Sequence, residues 1–487
     1  METQMTKGKR WMILINVCIS IFMATLDGSI VNIALPVISG ELNANISSVQ
    51  WVVTSYLLTI SVLLLIWGKI SDIYGRRNLF GVGFIIFTVG SALCGMSSSL
   101  GMLVFSRVVQ AIGAASMMAL SQGIVTSTFP PQERGKALGI TGTVVAIGSL
   151  VGPSLGGLLV HAAGWQSIFY INIPIGILGT VLTFLIIPKE QEKKGFESFD
   201  YNGSFMYVIA LSLLFMALLF LQEGTITLMA FLPMIITGLV LLGVFIKYEG
   251  KTNNALLNLN LFKNKVFSIG VASAYLSFVA IFCITLFMPF YLQNVLKLDT
   301  RAAGVLLSFY PITTAIVAPL SGWLSDRVTY RPLTVTGLTI SAISLAALAT
   351  LGPNEPHIKI ALMMAAVGLG GGLFQSPNNS SVMGAVPREM LGIAGGINAL
   401  FRNLGMVSGI TLSVMLFSFT TRMNINNLGG DANTFDTSLF LKGFRIVLIT
   451  ASLTCVAAML LSLSRALGKR ADSVSVNPLP RIKPDSK

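Results

Sequence analysis

The chain has 487 residues, 54% of them hydrophobic and only 10% charged, with a formal net charge of +13. Soluble domains carry about 25% charged residues, so composition assigns this chain to a lipid bilayer. The basic residues form short clusters between apolar runs instead of one patch, which argues against nucleic acid as a partner.

From the N-terminus, "METQMTKGKR" before an apolar run imitates a secretory signal. No small-residue cleavage site follows and further spans come at once, so an uncleaved first transmembrane helix is expected. Stretches of roughly 20 residues, enough to cross about 30 Å of hydrocarbon, occur fourteen times. They fall at 11–35, 49–67, 79–96, 100–129, 137–161, 168–188, 201–221, 226–246, 266–292, 300–324, 332–351, 358–384, 391–419 and 443–467. With the N-terminus cytoplasmic, the inner segments hold 24 Lys and Arg. The outer loops hold five (Lys297, Arg301, Lys359, Arg422, Lys442), and three (Arg107, Arg402, Arg445) fall within spans. That asymmetry predicts a multi-pass protein with both termini in the cytoplasm. The four cysteines sit singly in apolar segments with no CxxC and no nearby His, so neither a disulfide framework nor a bound metal is expected.

Helix 1 carries Asp27 in "LDGSIVNIALP" (26–36), after sixteen uncharged residues from Trp11 to Leu26. A charge near the bilayer centre costs at least about 2.5–3.5 kcal/mol, so a chain that retains one is expected to use it. At 1.5 Å per residue from Trp11, Asp27 lies about 24 Å in, within the outer half of the membrane. After helix 2, "GKISDIYGRR" sets Gly68, Asp72, Gly75, Arg76 and Arg77 at a helix end. A carboxylate with two arginines a turn away can clamp neighbouring helices in one conformation and release them in another. On helix 4, Arg107 and Gln110 share a face at i, i+3. A guanidinium inside a span needs an acceptor or water, unless it snorkels to the nearby outer end. On helix 5, Gly148, Gly152 and Gly156 form a face without side chains beside Pro153 and Gly157. Such a face admits a partner backbone, and we expect it to close against the opposite half of the molecule.

Helices 9 and 10 are crowded with aromatics, among them Tyr275 and Phe309, and helix 12 carries Gln375, Asn378 and Asn379 in "FQSPNNSS" (374–381). Helix 13 adds Asn398 and Arg402. Aromatic surfaces with a few polar groups suit bulky, amphipathic or cationic compounds. The expected substrate cavity therefore comprises Gln110, Tyr275, Phe309, Gln375, Asn378, Asn379 and Arg402.

An internal repeat organises the order. "GWLSDRVTYR" (322–331) matches the helix 2 loop, pairing Asp326 with Asp72 and Arg331 with Arg77 at an offset of 254. "VPREMLGIAG" (386–395) matches "PPQERGKALG" (130–139) at 256. These anchors divide the chain into a six-helix half (1–195), an inserted transmembrane hairpin of helices 7 and 8 with linkers (196–262), a second six-helix half (263–470) and a cytoplasmic tail (471–487). Parallel repeats of this kind bind between their halves near the midplane.

Taken together, the motifs carry a family resemblance over nearly the whole chain. "GKISDIYGRR" resembles the helix 2–3 signature of the major facilitator superfamily, and "RVVQAIGAA" (107–115) is similar to its helix 4 motif. "GSLVGPSLGG" (148–157) resembles the helix 5 antiporter motif of its exporters. "LDGSIVNIALP", "FYINIPIG" (169–176) and "SPNNSSVMGAVP" (376–387) resemble the fourteen-spanner drug:proton antiporters. The second half departs from the antiporter motif, having "GMVSG" (405–409) without a Gly-Pro. The resemblance implies an all-α membrane protein of the major facilitator fold, an export direction, and proton coupling at Asp27 and Arg107.

No GxxxxGK[ST] occurs and no catalytic constellation is evident, so ATP hydrolysis, enzymatic activity and a cofactor are not expected. The expectation is a monomeric plasma-membrane exporter whose partners are a small molecule, protons and the bilayer. It would exchange protons for hydrophobic or cationic drugs. Export or flipping of an endogenous lipid or metabolite is the alternative; a solute importer or a receptor fits the motifs less well.

Overall fold

A computed structural model describes residues 5–189, 199–223, 228–252, 255–422 and 436–467. The expected tail, 471–487, lies outside the described residues, as do parts of the 196–262 segment. Fourteen helices among the described residues are long and apolar enough to cross a membrane. They are α1 (Lys7–Glu41), α2 (Trp51–Tyr74), α3 (Arg76–Gly95), α4 (Leu100–Thr128), α5 (Pro131–Ala163), α6 (Ser167–Ile186), α7 (Tyr201–Glu223), α8 (Leu228–Glu249), α9 (Lys265–Phe290), α10 (Thr300–Arg327), α11 (Tyr330–Leu348), α12 (His357–Gly384), α13 (Leu391–Thr421) and α14 (Thr437–Leu467). Each overlaps one expected span. Helix is the form in which such segments satisfy their own backbone in hydrocarbon. Several overrun the apolar windows, because helix ends continue into the polar interface, where Ser99, Asn264 and Asp299 cap α4, α9 and α10.

The helices α1–α6 pack among themselves, as do α9–α14. Two seams join these halves, α2 with α13 and α5 with α10, and they are related by the sequence repeat. Small residues let the backbones approach at both. A methyl group on Gly68 of α2 would stand 2.7 Å from the Gly392 carbonyl oxygen of α13, and one on Gly322 of α10 would overlap Gly135 of α5. The inserted hairpin lies along one seam, with α7 against both α2 and α13. Trp51 meets Phe220 edge-on at 5.8 Å, and Thr411 donates to the Leu218 carbonyl at 3.3 Å. At its base Asp200 accepts from the Gly203 amide and Glu249 from the Leu257 amide, each at 2.8 Å.

Candidate functional site

Polar chemistry gathers at two levels. The first is the basic end of the bundle, where the α2–α3 and α10–α11 loops lie. Gly75, at φ 88°, turns the chain from α2 into α3 and leaves Asp72 facing the first turn of α13. Asp72 accepts from the Gly392 and Ile393 amides, both at 2.9 Å. Asp326 does the same at the other seam, accepting from the Gly135 amide at 2.7 Å and the Lys136 amide at 2.9 Å, the fifth and sixth residues of α5. A carboxylate on a helix N-terminus is favoured by unpaired amides and by the helix dipole, so each aspartate holds the half that does not contain it. Arg76 lies 3.7 Å from Asp72 and donates to the Arg388 carbonyl at 2.5 Å, tying the loop across the seam as well. Arg77 instead turns within its own half, to the Phe184 carbonyl and ring. Arg331 is partly buried at the start of α11.

The second level lies deep in the first half. Asp27 and Arg107, 1% and 0% exposed, pair at 2.5 Å. Gln110 donates to Asp27 Oδ1 at 2.8 Å and to Ser91 Oγ at 2.8 Å, while its Oε1 accepts from Arg107 at 2.6 Å. Asn172 of α6 donates to Asp27 at 3.1 Å, and Arg107 Nε donates to the Val52 carbonyl at 3.0 Å. The Tyr56 ring lies 3.9 Å from the guanidinium carbon. Five helices thus converge on one carboxylate, and Arg107 does not snorkel. Its Nη2 and the Asn172 Oδ1 have no partner among the described residues.

Three expectations change. Gln110 lies in the Asp27 network instead of lining a cavity, because at i+3 from Arg107 it faces the same buried acceptor. Asn378 is also taken up structurally: it donates to the Gly270 carbonyl at 3.0 Å and accepts from Arg465 at 3.1 Å. The helix 5 glycines do not face the opposite half. Methyl groups on Gly148, Gly152 and Gly156 would strike Thr25, Ser29 and Ile30 of α1, whereas Gly157 has open space. Ser29 donates to the Gly148 carbonyl at 3.2 Å, so this face seats the helix that carries Asp27, one turn from the exposed Pro153.

Of the other cavity candidates, Tyr275 is partly buried against Phe401 (centroids 6.4 Å apart), Phe309 is 38% exposed, and Gln375 is partly buried. Asn379 accepts from Asn398 at 3.1 Å, and Asn398 also donates to Gln122 of α4 at 2.8 Å, bridging the halves. Arg402 follows one turn further along α13. Asn172, Tyr56, Ser91 and Gln122 were missed by sequence reasoning. A lone amide in an apolar run, as in "YINIPIG", is the available signal, but it does not say which helix the amide meets.

Residues 17–410 match the family model described as Major Facilitator Superfamily. The chain is 36% identical over 416 residues to the riboflavin transporter RibZ of Clostridioides difficile, covering 85% of this chain and 90% of that one. It is 32% identical to the multidrug resistance protein Stp of Mycobacterium tuberculosis, covering 81% and 73%. The solved proton:xylose symporter XylE aligns with a TM-score of 0.65 at 14% identity over 94% of this chain and 96% of that one, a likeness of fold.

Proposed function

The chain belongs to the major facilitator superfamily, and on that footing we propose that it is a proton-driven exporter of the fourteen-spanner drug:proton antiporter branch, acting in the plasma membrane with its basic end in the cytoplasm. The observation that carries this reading is the sealed Asp27–Arg107 pair. Burying an ion pair in low dielectric is costly to assemble, and removing one charge from it costs about 3–5 kcal/mol. A proton arriving on Asp27 removes one charge and releases Arg107 and α1 to repack. The α5 helix links that event to the seam, because one end seats α1 through Gly148 and Gly152 while the other is held by Asp326. The hydrogen bonds between the halves gather towards the basic end, and near the opposite end α1 exposes Asn32, Ile33 and Pro36. We read this as an outward-open state with its cytoplasmic gate shut, ready to release substrate and take up a proton.

Everted vesicles test the reading. Asp27→Asn is expected to abolish efflux driven by a proton gradient while membrane insertion persists. Proton-driven efflux at wild-type rate in that variant overturns the coupling role. The likeness to RibZ favours a second reading, export of an endogenous metabolite by the same mechanism.

A further inference from the structure

Apart from Arg301 and Arg465 at span ends, three arginines lie inside spans by sequence, and the structure treats them differently. Arg107 is paired with Asp27, and Arg445 donates to the Ala349 carbonyl at 3.2 Å. Arg402 makes no hydrogen bond or ion pair with any described residue. Its position is central. It sits eleven residues into α13, about 17 Å from the basic end and hence near the midplane. It shares the face of Asn398 at i+4, and Asn398 donates across to Gln122 of α4 and, within its own half, to Asn379 of α12. Arg402 therefore stands one turn above the polar bridge that closes the seam, and it is only partly buried. An unpaired guanidinium within a span is expensive to keep.

No described carboxylate balances it. Asp27, the one acidic residue well inside a span, is 1% exposed and fully engaged by Arg107, Gln110 and Asn172. The other described carboxylates that touch the spanning helices, including Asp72, Asp200, Glu249 and Asp326, lie at helix ends. A cation entering between the halves would meet a positive charge and no accessible negative one. An anion, or a planar molecule presenting two adjacent acceptor oxygens, would meet a two-pronged donor. Phe401, its neighbour in the chain, packs edge-on against Tyr275 and offers aromatic surface on the adjoining face of α13.

We propose that Arg402 is the substrate anchor and that the carrier selects anionic or acceptor-rich aromatic compounds over cations. This rests on the reading of the chain as a carrier with its binding site between the halves, and it narrows the substrate class of that site. It departs from the expectation of hydrophobic or cationic substrates drawn from the aromatic surfaces, their few polar groups and the family resemblance.

The test uses two dyes that share a xanthene ring, anionic fluorescein and cationic rhodamine 6G. Their binding to the full-length protein in phosphatidylcholine nanodiscs is read by fluorescence polarisation with no pH gradient. Wild type is expected to bind fluorescein more tightly, and Arg402→Gln to weaken fluorescein on the order of tenfold, the loss of one charge-assisted contact, without weakening rhodamine 6G. Tighter rhodamine binding by wild type, or unchanged fluorescein affinity in Arg402→Gln, overturns the proposal. Arg402→Lys keeps the charge and loses the fork, so it should retain the fluorescein preference at reduced affinity; a lysine variant preferring rhodamine 6G also overturns it. Competition by phosphatidylglycerol that disappears in Arg402→Gln would identify a lipid headgroup as the anion and support the same recognition. Proton-driven efflux at wild-type rate in Asp27→Asn would sink the coupling reading and leave this one standing.

Discussion

The two six-helix halves share a pair of carboxylate clamps across their seams and differ in their buried charge. Asp72 and Asp326 each accept from two successive amides near the start of the opposite half's helix, α13 and α5 respectively. At the repeat offset, however, Asp27 falls among Ile281, Phe282 and Cys283, and Arg107 among Ala361, Leu362 and Met363. Two seams must both be held to keep the halves together, so a clamp is needed twice. A buried ion pair is costly and is kept only where it is used, so one copy suffices.

The largest effect expected from breaking this asymmetry is at Asp27. Asp27→Asn keeps the hydrogen-bonding shape and removes the charge, and should abolish proton-driven efflux in everted vesicles, a loss on the order of a thousandfold at the scale of a lost buried charge interaction. Placing an aspartate at Phe282 in the same variant should restore nothing, because the second half has Ala361, Leu362 and Met363 where the first has Arg107. Restoration would mean that the halves are interchangeable and that the asymmetry is incidental.

The clamps should behave alike. Asp72→Asn and Asp326→Asn each replace two charge-assisted bonds with weaker ones, where each such bond contributes about 1.5–3 kcal/mol. Turnover should change on the order of tenfold in each, with substrate Kd within about twofold, since neither residue lies beside Arg402. Rates and affinities measured on the same vesicle preparation check this. A large effect in one and none in the other would show that the seams do not share the load.

The same contrast explains what was legible in the sequence. The fourteen spans and the duplicated loop could be read because apolar length and the recurrence of Gly-x-x-Ser-Asp are local signals. Asp27 and Arg107 stood out because charge in a span is rare. Their pairing, and the part played by Asn172 and Ser91, could not be read, because which helices converge on Asp27 depends on packing across 145 residues of chain. Gln110 and Asn378 were misplaced for the same reason: a polar residue in a span announces a partner without naming it.

The helix 5 motif offers the finest division, between glycines that seat α1 and one that seats nothing. Gly152→Ala would drive its methyl group into Ser29 and push α1 away from α5. Because α1 carries Asp27, we expect several-fold slower proton-driven efflux, a loss of about 1 kcal/mol or more for an overpacked contact. Gly157→Ala belongs to the same sequence motif but meets nothing within 4 Å. It should leave efflux unchanged and raise thermal stability slightly, since alanine is favoured over glycine inside a helix by about 0.5–1 kcal/mol. Melting and efflux of the two variants, compared side by side, separate packing on α1 from the motif as a string. Equal losses in both would mean that the motif acts through helix bending at Pro153 and not through its contact with the Asp27 helix.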